Sequence, residues 1–325
     1  MVLVAATLLL VASLGTAIAV GSGLLRLPLV IDDEQSEPMP GLGIFESVAG
    51  RIVYSVDSSL WGVAANAASP GATLVRVDLD GTAVPDRLAT FTVLLGWSSD
   101  GTELLFKRQD PTDETFPYAE HLFILHADGT ETQVTAEPAG GAAISPDGSR
   151  VVFAANGLYV VETDGGQPVR ITDQGESPTF SPDGTQIAYL SSPRRGCCVE
   201  AGREHVWVSN ADGTGAHEIL MGEPALVDGV FGLAWSPAGD RIALQNSAEG
   251  HVAIYTFAPD GSNFTMVISG GFNPHWSPDG SQIAYGVPGR DGVSVADADG
   301  SNVQALGFGN SGPWHPGTFE NSAVR

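Results

Sequence analysis

The stretch Trp276-Ser-Pro-Asp-Gly280, continued by Gln282-Ile-Ala-Tyr285 and later by Asp299-Gly300, decides the fold. Ser-Pro-Asp-Gly spells a type I turn: Ser at the first position, Pro fixing φ at the second, Asp third and Gly fourth. A strand must reverse there. Gln282-Ile-Ala-Tyr285 is too short for a helix and rich in strand formers, and Asp299-Gly300 marks a second hairpin after a third strand. The same order recurs from Trp97-Ser-Ser-Asp-Gly101, Ile144-Ser-Pro-Asp-Gly148, Phe180-Ser-Pro-Asp-Gly184 and Trp235-Ser-Pro-Ala-Gly239, with a shortened Trp314-His-Pro-Gly317 at the end. The copies begin 47, 36, 55, 41 and 38 residues apart, the period of a four-stranded propeller blade.

Apolar runs follow the turns at Leu104-Leu-Phe106, Arg150-Val-Val-Phe153, Gln186-Ile-Ala-Tyr189 and Arg241-Ile-Ala-Leu244. Second turns stand at Asp80-Gly81, Asp128-Gly129, Asp164-Gly165, Asp212-Gly213, Asp260-Gly261 and Asp299-Gly300. Six turns of each kind predict an all-β, six-bladed propeller of four-stranded antiparallel blades. Gly50-Arg-Ile-Val-Tyr54 reads as a second strand lacking its first, and the copy at Trp314 as a first strand with nothing after it. Pairing residues 310–317 with the N-terminal blade closes the ring and removes its open edges. The expected organisation is an export segment at 1–25, a linker at 26–43, one propeller domain at 44–320 and a short tail at 321–325.

The pattern of aromatic, Ser-Pro-Asp-Gly, two residues, Ile-Ala-Tyr, then Asp-Gly resembles the TolB-type β-propeller repeat over residues 50–317. The resemblance implies an extracytoplasmic, usually bacterial, propeller that binds other proteins or senses envelope components. The reading departs from TolB itself in that no separate N-terminal α/β domain is expected before the ring.

Residues 1–25 are apolar and uncharged, and 32–43 form a polar, Pro-containing tether. Two readings stand: a cleaved signal with Ala17-Ile-Ala19 as its small-residue site but no basic start, or a retained anchor long enough to span a bilayer. Either way the expected location is periplasmic, cell-surface or secreted. The net charge is −24, with Lys107 the single lysine. That charge excludes nucleic acid as a natural partner.

In a meander blade both kinds of turn lie at one end of the ring, which predicts one acidic face. Asp78-Leu-Asp80 and Asp297-Ala-Asp299 each offer two carboxylates but no downstream bidentate Glu at calcium-loop spacing, so turn capping is the preferred reading. No metal or cofactor is expected. The only cysteines, Cys197 and Cys198, are adjacent; a vicinal disulfide, free thiols and a link between chains all remain open.

The opposite face carries long connections at 57–72, 108–120 and 191–204, which contain Trp61, Phe116, Tyr118, Arg194, Arg195 and Arg203. Such residue types on irregular loops are where binding concentrates. The innermost strands begin on that face, so Glu176, Phe231, Phe272, Asn273, His275 and Asn310 are placed at the mouth of the central channel. The candidate binding set is Tyr118, Glu176, Arg194, Arg195, Phe231, Asn273, His275 and Asn310. His275 is a candidate ligand or base, with packing beside Trp276 as the plainer reading. The sequence holds no Gly-x-Ser-x-Gly elbow, His-Glu-x-x-His, phosphate loop or dinucleotide fingerprint. The expectation is a non-enzymatic module binding a protein or envelope polymer. The alternatives are a lyase or hydrolase acting in the channel, as oligogalacturonate-lyase-like propellers do by resemblance, and a sensory ectodomain anchored by residues 1–25.

Overall fold

The computed structural model describes residues 52–56, 59–63, 74–78, 93–109, 120–191, 194–195, 198–199, 205–220, 230–248, 251–288 and 293–305. A three-stranded antiparallel N-terminal sheet contains β1 (Ile52–Val56), β2 (Ser59–Val63) and β3 (Leu74–Asp78). Five four-stranded antiparallel blades follow. Blade one is β4 (Val93–Trp97), β5 (Glu103–Gln109), β6 (Glu120–His126) and β7 (Glu131–Gln133). Blade two is β8 (Ala142–Ile144), β9 (Arg150–Ala155), β10 (Gly157–Glu162) and β11 (Val169–Thr172). Blade three pairs β12 (Glu176–Phe180), β13 (Gln186–Ser191), β16 (His205–Asn210) and β17 (His217–Leu220), with a small hairpin, β14 (Arg194–Arg195) and β15 (Cys198–Val199), inserted between its second and third strands. Blade four is β18 (Val230–Trp235), β19 (Ile242–Ala248), β20 (His251–Phe257) and β21 (Thr265–Ser269). Blade five is β22 (Phe272–Trp276), β23 (Gln282–Gly286), β24 (Val293–Asp297) and β25 (Gln304–Ala305).

The repeats therefore fold as read, but the described residues contain five four-stranded blades rather than six. The expected closing strand at 310–317 lies outside them, as do the export segment 1–25 and the linker. A second difference falls inside the N-terminal sheet. The span 57–72, read as one loop, contains β2, whose Trp61 stands opposite Tyr54 and Arg76. Trp61 and Val63 are strand formers, and β2 pairs antiparallel with both β1 and β3 where the sequence reading placed irregular chain.

The innermost strands β4, β8, β12, β18 and β22 succeed one another around the ring. Alternate residues of a strand face opposite sides, and a neighbouring blade covers each side, so the second strands read as continuous apolar runs. Four cores result. Leu105, Leu122 and Ile124 meet Ile144 and Val151; Val152, Ala154 and Leu158 meet Phe180, Ile187 and Tyr189. Ala188, Leu190, Val206 and Val208 meet Leu233, Ile242 and Leu244; Ala243, Ile254 and Ile268 meet Trp276, Ile283 and Tyr285. Phe180, Trp235 and Trp276, the aromatics before three of the turns, are thus inter-blade wedges. Trp276 also donates its indole N–H to the Ala234 carbonyl of the preceding blade at 2.9 Å.

Candidate binding face

The two ends of the ring differ in how their polar groups are used. At the turn end, Ser145 Oγ donates to Asp147 Oδ1 at 2.6 Å, while the Ser149 N–H and hydroxyl donate to the same oxygen at 3.1 and 2.8 Å. Ser145 Oγ in turn accepts the Arg150 N–H at 2.9 Å. The same clamp closes the turns at Asp100, Asp183 and Asp279. In blade four Ala238 occupies the aspartate position, and Asp240 accepts the Ser236 hydroxyl at 2.8 Å instead. The hydrogen bond from Ser145, with those from Ser149, holds the Asp147 carboxyl down to about 2. At Asp100 and Asp279 partial burial pushes upward, but bonds from the turn hydroxyls and amides outweigh it and the net shift is downward.

The second turns work alike. Asp128 and Asp212 each accept the N–H and hydroxyl of a threonine two residues on, Thr130 and Thr214. Asp260 and Asp299 accept the N–H of Ser262 and Ser301. Asp297, half of one calcium-like pair, accepts the Asn302 side-chain amide. The Ala127 N–H donates to the Thr102 carbonyl at 2.8 Å, and the pairs Ala211 with Thr185 and Ala298 with Ser281 repeat the bond, so both kinds of turn do share one face. The aspartates of these turns are turn fasteners. Among the described residues no group of three or more His, Cys, Asp or Glu side chains could hold a metal.

At the other end the inner strands begin; the ladder slips in four of them, β4 between Leu94 and Gly96 included, and three share a left-handed residue in the same place. Ser177, Gly232 and Asn273, each three residues before the repeated aromatic, have φ of 48°, 77° and 52°, the left-handed region. The ladder slips at each of these positions. These are β-bulges, which re-aim the side chains that precede them. The Asn273 N–H is donated to Gln245 Oε1 of the preceding blade at 2.8 Å.

Of the expected site residues, Glu176 is exposed at the start of β12, paired with Leu190. Phe231 sits in β18 opposite Gln245. Asn273 occupies the blade-five bulge, and His275 follows it opposite Ala284. The structure therefore puts Glu176, Phe231, Asn273 and His275 on inner strands, as expected. His275 Nε2 is enclosed and has no hydrogen-bond partner, and burial pushes its imidazole down to about 4, so the ring is neutral at physiological pH. Arg194 and Arg195 form β14 opposite Val199 and Cys198, away from the inner strands in sequence but in the inserted hairpin. Tyr118, Asn310, Cys197, Phe116 and Arg203 lie outside the described residues.

Sequence reasoning missed the ion pairs of the blade walls. Arg108 grips Glu131 with both guanidinium nitrogens while lying 4.1 Å from the Phe123 ring centroid. Lys107 pairs with Glu120, and His205 with Glu218. His126 Nδ1 stands 3.4 Å from Glu103 Oε1, and burial raises the Glu103 carboxyl despite that imidazole.

No protein-family model matches the sequence, and a comparison with curated proteins returns no match. Solved structures do match. A protein described as a putative TolB from Agrobacterium tumefaciens aligns at TM-score 0.57 and 22% identity, over 70% of this chain and 87% of that one. TolB from Acinetobacter baumannii aligns at TM-score 0.59 and 16% identity, over 83% and 67%. Its structural neighbours include TolB-like propellers. At these identities the likeness establishes the fold. An oligogalacturonate lyase determined with manganese aligns at TM-score 0.46 and 15% identity, over 78% and 74%, too distant to bear on chemistry.

Proposed function

We propose that this chain is a non-enzymatic, exported propeller that presents its loop face to a protein or cell-envelope polymer. The observation that carries the reading is the row of left-handed bulges at Ser177, Gly232 and Asn273 where the inner strands begin. Glycine adopts this conformation without strain, but Ser177 and Asn273 do not, and such positions persist only where the surroundings enforce them. The contrast between the ends supports the same face: eight of the nine Asp-Gly aspartates of the described turns close their own turns, whereas Glu176 opens β12 exposed. Export rests on the apolar 1–25 segment and its polar tether. The TolB-like fold of the neighbours is consistent with an extracytoplasmic binding role. A hydrolase or lyase built on His275 is less well supported, since a general base must reach its proton within hydrogen-bond distance and His275 Nε2 is enclosed.

Affinity capture from envelope extract tests the proposal. The wild-type chain retains a partner that the Tyr118→Ala, Arg194→Ala, Arg195→Ala triple variant loses, with the variant's melting temperature unchanged. Equal capture by a folded triple variant contradicts the assignment of the face.

A further inference from the structure

Nine Asp-Gly turns fall within the described residues, and eight of their aspartates accept hydrogen bonds from a hydroxyl or amide two residues on. Asp164 is the ninth. Gly166 stands where the others have Ser or Thr, and the exposed Asp164 carboxylate accepts no hydrogen bond. A second difference is independent of the first. At Gly213, Gly261 and Gly300 the turn is pressed onto the preceding blade, where an added Cβ would collide with the carbonyl oxygens of Ile171, Ile219 and Val267. Gly165 and Gly166 have nothing within 4 Å of such an atom.

We propose that Asp164-Gly165 is the site at which the folded protein undergoes spontaneous succinimide formation and isomerises to isoaspartate. The Gly165 amide nitrogen, losing its proton, attacks Asp164 Cγ; a C–N bond forms, a C–O bond breaks, and the departing hydroxyl leaves with a proton as water. Water then opens the ring at either carbonyl, giving aspartate again or a backbone rerouted through Cγ. No oxidant or co-reactant is needed. The Gly165 N–H donates to the Glu162 carbonyl at 3.0 Å, as Gly129, Gly213, Gly261 and Gly300 do in their own turns, so the nucleophile is held alike in all five. What differs is the electrophile. A clamped aspartate must break its hydrogen bonds before Cγ can turn toward the amide, whereas Asp164 has none to break and open space beside its turn. The extra backbone methylene would fall between β10 and β11 and loosen the outer edge of blade two.

The test incubates the full folded chain at neutral pH and maps isoaspartate by electron-transfer fragmentation of tryptic peptides. Residues 151–170 form one peptide, and its other susceptible pair, Asn156-Gly157, loses ammonia rather than water and gains mass on hydrolysis. The proposal predicts isoaspartate at Asp164 forming about tenfold or more faster than at Asp128 or Asp212, the factor expected from two hydrogen bonds, and about threefold or more faster than at Asp260 or Asp299, which accept one N–H each. Two controls separate fold from sequence. In urea the sites converge, and Thr214→Ala, which removes one bond from Asp212, raises isomerisation there in the folded chain. Equal rates in the folded chain, or a preference for Asp164 that survives unfolding, overturns the proposal.

Discussion

Replacing Asp147 by Ala removes one acceptor that holds three hydrogen bonds, from the Ser145 hydroxyl and from the Ser149 N–H and hydroxyl. At an exposed turn each bond contributes about 0.5 kcal/mol, the low end of the usual range, or about 1.5 kcal/mol together. The carboxyl provides a second route. Its fall from the ordinary 3.8 to about 2 corresponds to at most about 2.5 kcal/mol. Screening at this solvent-exposed position reduces that to about 1 kcal/mol, and the two routes agree. The pH dependence has a definite sign. The folded-state value is depressed, so the contribution is complete above about pH 4 and disappears as pH falls through about 2. Urea unfolding of wild type and Asp147→Ala should therefore differ by about 1 to 1.5 kcal/mol at pH 7, and the carboxylate-dependent part of that difference should close on acidification. Equal stability at pH 7, or a gap that stays constant from pH 5 to pH 2, refutes the turn-fastener reasoning.

Three further outcomes follow from the same geometry. Gly261→Ala places a Cβ against the Ile219 carbonyl on backbone at φ 83° and should cost more than about 2 kcal/mol, whereas Gly165→Ala, in open space, should cost about 1; thermal unfolding of the pair checks the contrast. Arg108→Met alone strands a mostly buried Glu131 and should cost about 3 kcal/mol or more, with a smaller loss when Glu131→Leu accompanies it, as a double-mutant cycle would show. Trp276→Phe removes the bond to the Ala234 carbonyl and should lower stability by about 1 to 2 kcal/mol in urea unfolding, through lost inter-blade contact.

The turns and their partner strands were legible because each is local: four residues specify a reversal, and the run after it specifies a strand. The alternative fastener Asp240 was not, since Ala238 reads as a defective copy until its serine is seen to reach two residues further on. The pairs Arg108 with Glu131 and Lys107 with Glu120 lie 23 and 13 residues apart and meet only after three strands and two strands, respectively, fix their register. β2 escaped because a short strand in a loop-like setting gains its stability from the neighbours that flank it, not from its own five residues. At the candidate face, placing Glu176, Asn273 and His275 on inner strands followed from strand direction alone. The bulges did not, because the left-handed conformation falls on Ser177 and Asn273 as well as on Gly232.

The central claim is that the two ends of the ring divide the work, scaffold at the turns and recognition at the loops. It is tested most directly by titrating the captured partner against two folded variants, one per face. Glu162→Gln with Asp164→Asn removes two exposed charges from the turn face without touching a fastener, and Arg194→Ala with Arg195→Ala alters the inserted hairpin. The account predicts an affinity within about twofold of wild type for the first and a loss of about tenfold or more, roughly one interface hot spot, for the second. The reverse order, with the turn-face variant losing the partner and the hairpin variant keeping it, contradicts the account.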